Sequence, residues 1–148
     1  MSFFPLSPDA AEWGGVRYHT LMAPSDSGGA MSIVDTLSPV NASPPRHVHD
    51  KEDEIFVLLS GVCEFWADGE MFTRSAGETV FVPRGVEHTY RVIGDKPCRH
   101  LVILTPGGFE GFFYDMARQQ CRIPEDMAAI EQSAARFNLR FTGPPLGN

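Results

Sequence analysis

Covalent bracing is scarce in this chain. Its three cysteines, Cys63, Cys98 and Cys121, stand far apart with no C-x-x-C pair. That excludes a disulfide framework and a zinc knuckle, and suits a reducing compartment. Long apolar runs are also missing, since no stretch approaches the roughly 18 residues a membrane span needs. The start, "MSFFPLSPDAAEW", lacks the basic and apolar regions of a secretory signal. Basic charge is short as well: twelve Lys and Arg against nineteen acids leave a net charge of -7, with arginines scattered singly from Arg17 to Arg140. Such a surface repels phosphate backbones. The expectation is a cytoplasmic protein with neither nucleic acid nor membrane as partner.

What is present is one domain's worth of short apolar runs. At 148 residues the chain is long enough to bury a core without staples, and a single domain over 1–148 is expected. Strand-like runs recur about every ten residues: "VRYHTLM", "AMSIVDTL", "EIFVLLS", "VCEFWA", "EMFTRS", "TVFVPR", "HTYRVI" and "CRHLVILT". Between them lie clusters of Gly, Pro, Asp and Ser such as "PSDSGG", "ADGE" and "GDKP". No helical segments intervene to make parallel crossovers, so an antiparallel all-β body over about 14–105 is predicted.

After "TPGG" the texture changes. Phe109, Phe112, Phe113 and Met116 fall at i, i+3, i+4 and i+7, one face of a helix. "PEDMAAIEQSAARF" then places Pro124 at a first helical position, with Met127, Ile130, Ala134 and Phe137 as its stripe. Two short helices over about 108–138 should follow the β body.

The chemistry-bearing stretch is "PPRHVHDKEDEIFVLLSG" at 44–61. Successive side chains of a strand alternate faces, so His47 and His49 project to one side and Val48 to the other. If residues 50–53 form a hairpin loop, Glu54 lies opposite His49 on that same face. Glu52 and Asp53 would sit within the loop and rank below it. A fourth group is offered by His88, which starts "HTYRVI" after the turn Pro83-Arg84-Gly85. His19 and His100 have no histidine or acid at i±2 and read as structural or surface residues. The plainer alternative makes the whole stretch a charged turn between strands.

These residues resemble the cupin superfamily. Its first motif, G-x5-H-x-H-x3,4-E-x6-G, is matched by His47, His49, Glu54 and Gly61, with Asn41 where the leading glycine is usual. The second, G-x5-P-x-G-x2-H-x3-N, is matched by Gly77, Pro83, Gly85 and His88, with Val92 in place of asparagine. "DEIFVLLSGVCEFWADGE" and "GETVFVPRGVEHTYRV" are similar to the quercetin dioxygenase-like group of small single-domain cupins. The resemblance implies a double-stranded β-helix, the jelly-roll cupin barrel, and His47, His49, Glu54 and His88 as ligands of one divalent transition metal. Three nitrogens and one oxygen suit Fe, Mn, Ni, Zn, Co or Cu without choosing among them.

Alternation from the ligands puts Phe56 and Leu58 beside Glu54, and Tyr90 beside His88, as candidate substrate-binding residues. Phe65 joins them on a register that no ligand fixes. The resemblance further implies a metal-dependent dioxygenase for a small aromatic or enol-type substrate, with Glu54 as a proton acceptor, and a homodimer. The alternatives are a non-catalytic metal and small-molecule binding module, or a metal-dependent isomerase or lyase. The Phe109 to Met116 stripe reads first as a packing face and second as a lid.

Overall fold

In a computed structural model, which describes residues 4–147, the turn clusters cut the chain into short strands. In order these are β1 (Ala11–Trp13), β2 (Val16–Met22), β3 (Ser32–Ser38), β4 (Arg46–His49), β5 (Asp53–Ser60), β6 (Val62–Ala67) and β7 (Glu70–Ser75). β8 (Thr79–Val82), β9 (His88–Ile93), β10 (Cys98–Thr105), α1 (Gly111–Gln119), α2 (Met127–Arg136) and β11 (Leu139–Gly143) complete it. All strand pairs are antiparallel. They form a six-stranded sheet, β1-β2-β3-β10-β5-β8, and a five-stranded sheet, β11-β4-β9-β6-β7.

The two sheets face each other across one apolar core. Alternation selects its members: Val34, Phe56, Leu58, Val80, Val102 and Leu104 come from the larger sheet, Phe65 and Val92 from the smaller. Cysteines 63 and 98 are buried free thiols in the same core. The all-β jelly-roll barrel with two short C-terminal helices is thus present.

Gly61 shows why the chain turns where it does between β5 and β6. Its φ is 85°, and a Cβ there would sit 2.6 Å from the Pro97 carbonyl oxygen, so only glycine fits. Asn41, in a position where the motif has glycine, also takes a left-handed φ of 70°, a conformation asparagine tolerates better than most residues. Val92, where the motif has asparagine, is fully buried and exchanges backbone hydrogen bonds with Asn41 and Ala42. Both departures are absorbed without disturbing the sheets.

Three local expectations need correction. Residues 50–53 are not a hairpin loop: β4 lies in the smaller sheet and β5 in the larger, so the chain crosses between layers at 50–52, and Asp53 already belongs to β5. Pro124 is not helical. Asp126 accepts the Arg122 backbone N–H at 2.8 Å, closing a turn that delays α2 until Met127. Phe109 lies before α1 rather than on it, though still buried.

The outer face of the larger sheet is apolar over β5, β8 and the end of β10, whereas toward β3 it carries the buried Asp35–Arg99 ion pair with the Phe4 ring over the guanidinium. Ile55, Val57 and Leu59 alternate outward on β5, beside Leu101 and Ile103 on β10, and Phe81 on β8 is 61 % exposed. The helices do not cover this face. They pack on β1, at the far end of the larger sheet, and on β11, an edge of the smaller one.

Candidate metal centre

Four side chains converge between the layers. His47 and His49 come from β4, with one intervening residue turning them to the same side. His88, the first residue of β9, stands directly opposite His47 in the antiparallel register. Glu54 comes from β5 on the facing sheet. One nitrogen or oxygen from each lies within 4.8 Å of all the others. The carboxylate reaches His49 because the two sheets pack together, not because the strands pair.

Hydrogen bonds fix how the imidazoles present themselves. His47 Nδ1–H donates to the Pro45 carbonyl at 2.7 Å, and His88 Nδ1–H to the Val86 carbonyl at 3.0 Å. A carbonyl accepts only, so Nδ1 carries the proton in both rings and Nε2 faces the centre. His88 Nε2 lies 2.8 Å from Glu54 Oε1, and His49 Nε2 lies 3.4 Å from the same oxygen. Anchoring the distal ring nitrogen in this way is the usual arrangement for a metal-binding imidazole. His49 Nδ1 has no partner among the described residues. Glu52 Oε1, also buried and unpaired, lies 4.0 Å away.

The electrostatics are those of a site holding a proton where a cation would fit. Burial pushes the Glu54 carboxyl up, but the His49 and His88 imidazoles outweigh it and hold the group well below its usual range. Burial pushes His88 down, and its hydrogen bond to Glu54 more than reverses this. His47 is held well below its ordinary value by burial and then by the neighbouring imidazoles. Three nitrogens, one carboxylate oxygen and a shared internal proton fit a divalent transition metal.

A sign follows. Metal that binds here must displace the proton held by His88, whose affinity for it is raised, so loading releases a proton and strengthens as pH rises through the raised His88 value. Titration calorimetry in buffers of different ionisation enthalpy should show that release. A pH-independent affinity would show that the His88 proton is not displaced.

The cluster opens on a cavity of about 160 Å³. Phe56 and Tyr90 line it, as do Trp13, Phe109, Phe112 and Phe141. Leu58 and Phe65 do not. Both are buried in the core, where Phe65 stacks on Phe72 and meets Phe56 edge-on at 5.2 Å, so that Phe56 stands in front of it. Phe109 packs edge-on against His49 at 4.4 Å between ring centres. The Phe109, Phe112 and Phe113 cluster was visible in the sequence as a stripe. Thr36 and His100 also line the wall, and no spacing signalled them.

Comparison with known proteins agrees with this geometry. The family described as "Cupin domain" matches residues 34–104. A quercetin 2,3-dioxygenase of Bacillus subtilis is 29 % identical over 101 residues, 68 % of this chain and 29 % of that enzyme. One from Aspergillus japonicus is 31 % identical over 106 residues, 66 % of this chain and again 29 % of the enzyme. The chain therefore spans less than a third of either enzyme's length. Among solved structures, KdgF from Halomonas sp. superposes with a TM-score of 0.62 at 17 % identity, covering 68 % of this chain and 87 % of that one. A cupin-like protein from Thermotoga maritima covers 93 % of this chain and 83 % of its own, with a TM-score of 0.59 at 15 % identity.

Two facing antiparallel sheets with a His/Glu cluster between them define a cupin, and the chain belongs to that superfamily. Within it, the chain resembles the quercetin dioxygenase-like group.

Proposed function

We propose that the chain is a metal-dependent dioxygenase acting on a small aromatic or enol-type substrate. The observation that carries this reading is the buried His47, His49, Glu54 and His88 cluster at the wall of an aromatic cavity. Likeness to two quercetin 2,3-dioxygenases supports it. These four residues would hold one divalent ion of Fe, Mn, Ni, Zn, Co or Cu. When bound, such an ion supplies Lewis acidity and open positions for oxygen ligands.

The chain's own residues supply the rest. Phe56 and Tyr90, with Phe109 and Phe112 across the cavity, exclude water and flank a flat substrate. Phe65 holds Phe56 in place from behind. Glu54 Oε1 is the one anionic atom among the four converging groups and takes the proton of a substrate hydroxyl. The free thiols of Cys63, Cys98 and Cys121 suit a cytoplasmic setting. No helix among the described residues is long and apolar enough to cross a membrane.

The direct test is metal analysis of the purified protein, followed by dioxygen uptake with each candidate metal against flavonols, diketones and catechols. Uptake with a stoichiometric ring- or chain-cleaved product supports the reading. Tight binding across the panel without uptake replaces it with a non-catalytic binding module.

We also propose a homodimer through the outer face of the larger sheet, where Ile55, Val57, Leu101 and Phe81 form an apolar surface that the helices leave open. Light scattering on the native chain should give twice 16.3 kDa. Phe81→Asp, at a position 61 % exposed, should return it to the monomer mass with the fold intact. A native monomer at micromolar concentration ends the proposal.

A further inference from the structure

The wall of the cavity turns polar a second time, away from the histidine–glutamate cluster. Thr36 on β3, His100 on β10 and Tyr90 on β9 all line it. Glu54 pairs with Leu104 on β10, and His100 lies four positions back along that strand, about 13 Å at 3.3 Å per residue. Phe56 stands between the two ends, its ring 6.4 Å from that of His88 and 5.9 Å from that of His100.

This second cluster is incompletely paired. Ser38 Oγ lies 3.0 Å from Tyr90 Oη and 3.3 Å from His100 Nε2. Beyond that bridge, Thr36 Oγ1 and His100 Nδ1 are buried without a hydrogen-bond partner among the described residues. Thr36 and His100 are direct cross-strand neighbours of the β3–β10 pair, and are 1 % and 2 % exposed. Adjacent same-face neighbours start about 5 Å apart, so one small polar group reaches both. Buried polar atoms are nearly always satisfied, so an unsatisfied pair on a cavity wall is a place where a water or a ligand atom completes the bonding.

We propose that Thr36 and His100, backed by Tyr90 and Ser38, are a second recognition point. They bind an uncharged hydroxyl at the far end of a single-ring ligand whose near end carries the oxygens that meet the metal cluster. The proposal rests on the reading of the site given above and sharpens its substrate class. Size supports one ring, since the cavity is about 160 Å³ and an apolar cavity of about 150 Å³ accepts a benzene. Charge supports a neutral group. Burial lowers His100 to a pKa of about 4, against weaker opposing effects of Glu54 and Asp35, so its ring offers no positive charge to a carboxylate. A hydroxyl both donates and accepts, and so suits either tautomer of His100 and either rotamer of Thr36.

The test uses two isosteric pairs, 3,4-dihydroxybenzyl alcohol against 4-ethylcatechol on the zinc-loaded protein, and 4-hydroxybenzyl alcohol against 4-ethylphenol on the metal-free protein. Affinities are read by quenching of tryptophan fluorescence. In each pair the alcohol should bind at least tenfold tighter. Thr36→Val, which keeps the side chain's shape, should remove most of that preference, and T36V with His100→Phe should reverse it while leaving the ethyl compounds bound at least as well. Equal binding within both pairs, or a preference that survives in both variants, overturns the proposal. Separately, if 4-ethylcatechol binds the zinc-loaded protein no better than 4-ethylphenol does, the metal-directed reading fails. The hydroxyl preference of the metal-free pair would then still decide the second recognition point.

Discussion

His88→Ala is expected to remove the metal and to destabilise the metal-free chain by about 3–5 kcal/mol, the usual cost of stranding a buried charge by deleting its partner. Glu54 is 4 % exposed, and His88 supplies its shortest contact, 2.8 Å. His47→Ala should lose the metal equally and cost less stability, because His47 is held neutral by burial and by the repulsion of its neighbours. The pH dependence separates the two cases. His88 has a raised pKa in the folded chain, so its contribution is complete below the unfolded value of about 6.5 and disappears as pH rises through the folded one. The stability gap between native protein and His88→Ala should therefore be widest in mild acid and narrow above neutrality. Urea titrations at pH 6 and pH 9 measure it. Equal losses for the two variants at both values would mean that the Glu54–His88 pair carries no special weight.

Glu54→Gln separates holding the metal from using it. The amide keeps one oxygen donor and three histidines remain, so binding should weaken by about 10- to 100-fold without disappearing. For the dioxygenase activity proposed above, turnover should fall by 10² or more, since a proton acceptor contributes roughly 10²–10⁴. The same variant should change the acid limb of stability. Glu54 has a depressed pKa, so its contribution is present above the unfolded value of about 4.3 and is lost as pH falls through the folded one. Glu54→Gln should therefore lose less stability than the native chain on acidification. Full turnover with bound metal in this variant would take Glu54 out of the chemistry.

Much of the site was legible because its logic is local. His47, Val48 and His49 alternate by the geometry of any strand, and the rigid turn ahead of His88 sets the start of β9. The inward set Glu54, Phe56 and Leu58 followed from the same period. What was not legible depends on how separate layers meet. The expected hairpin brought Glu54 to His49 by strand pairing, whereas the fold does so by laying one sheet over another, and two-residue periodicity carries no information about that. His100 sits among "CRHLVILT" with nothing in its neighbours to mark it, and only the cross-strand partner Thr36 gives it meaning. Phe65 shares the inward face, yet Phe56 stands between it and the cavity. β1 is three residues long, too short for a periodic signal, and β11, although it alternates, is a lone strand after the helices; both are edge strands of their sheets.

The crossing of the chain from β4 to β5 between layers also bears on kinetics. Since three ligands belong to one sheet and the fourth to the other, no partly folded chain with a single sheet has the complete set. Metal should therefore leave the refolding rate almost unchanged and act on the return journey, slowing unfolding in proportion to occupancy. In hydrogen exchange, the amides of β4 and β5 should gain protection together on loading, as two halves of a clasp that closes only when the barrel has closed.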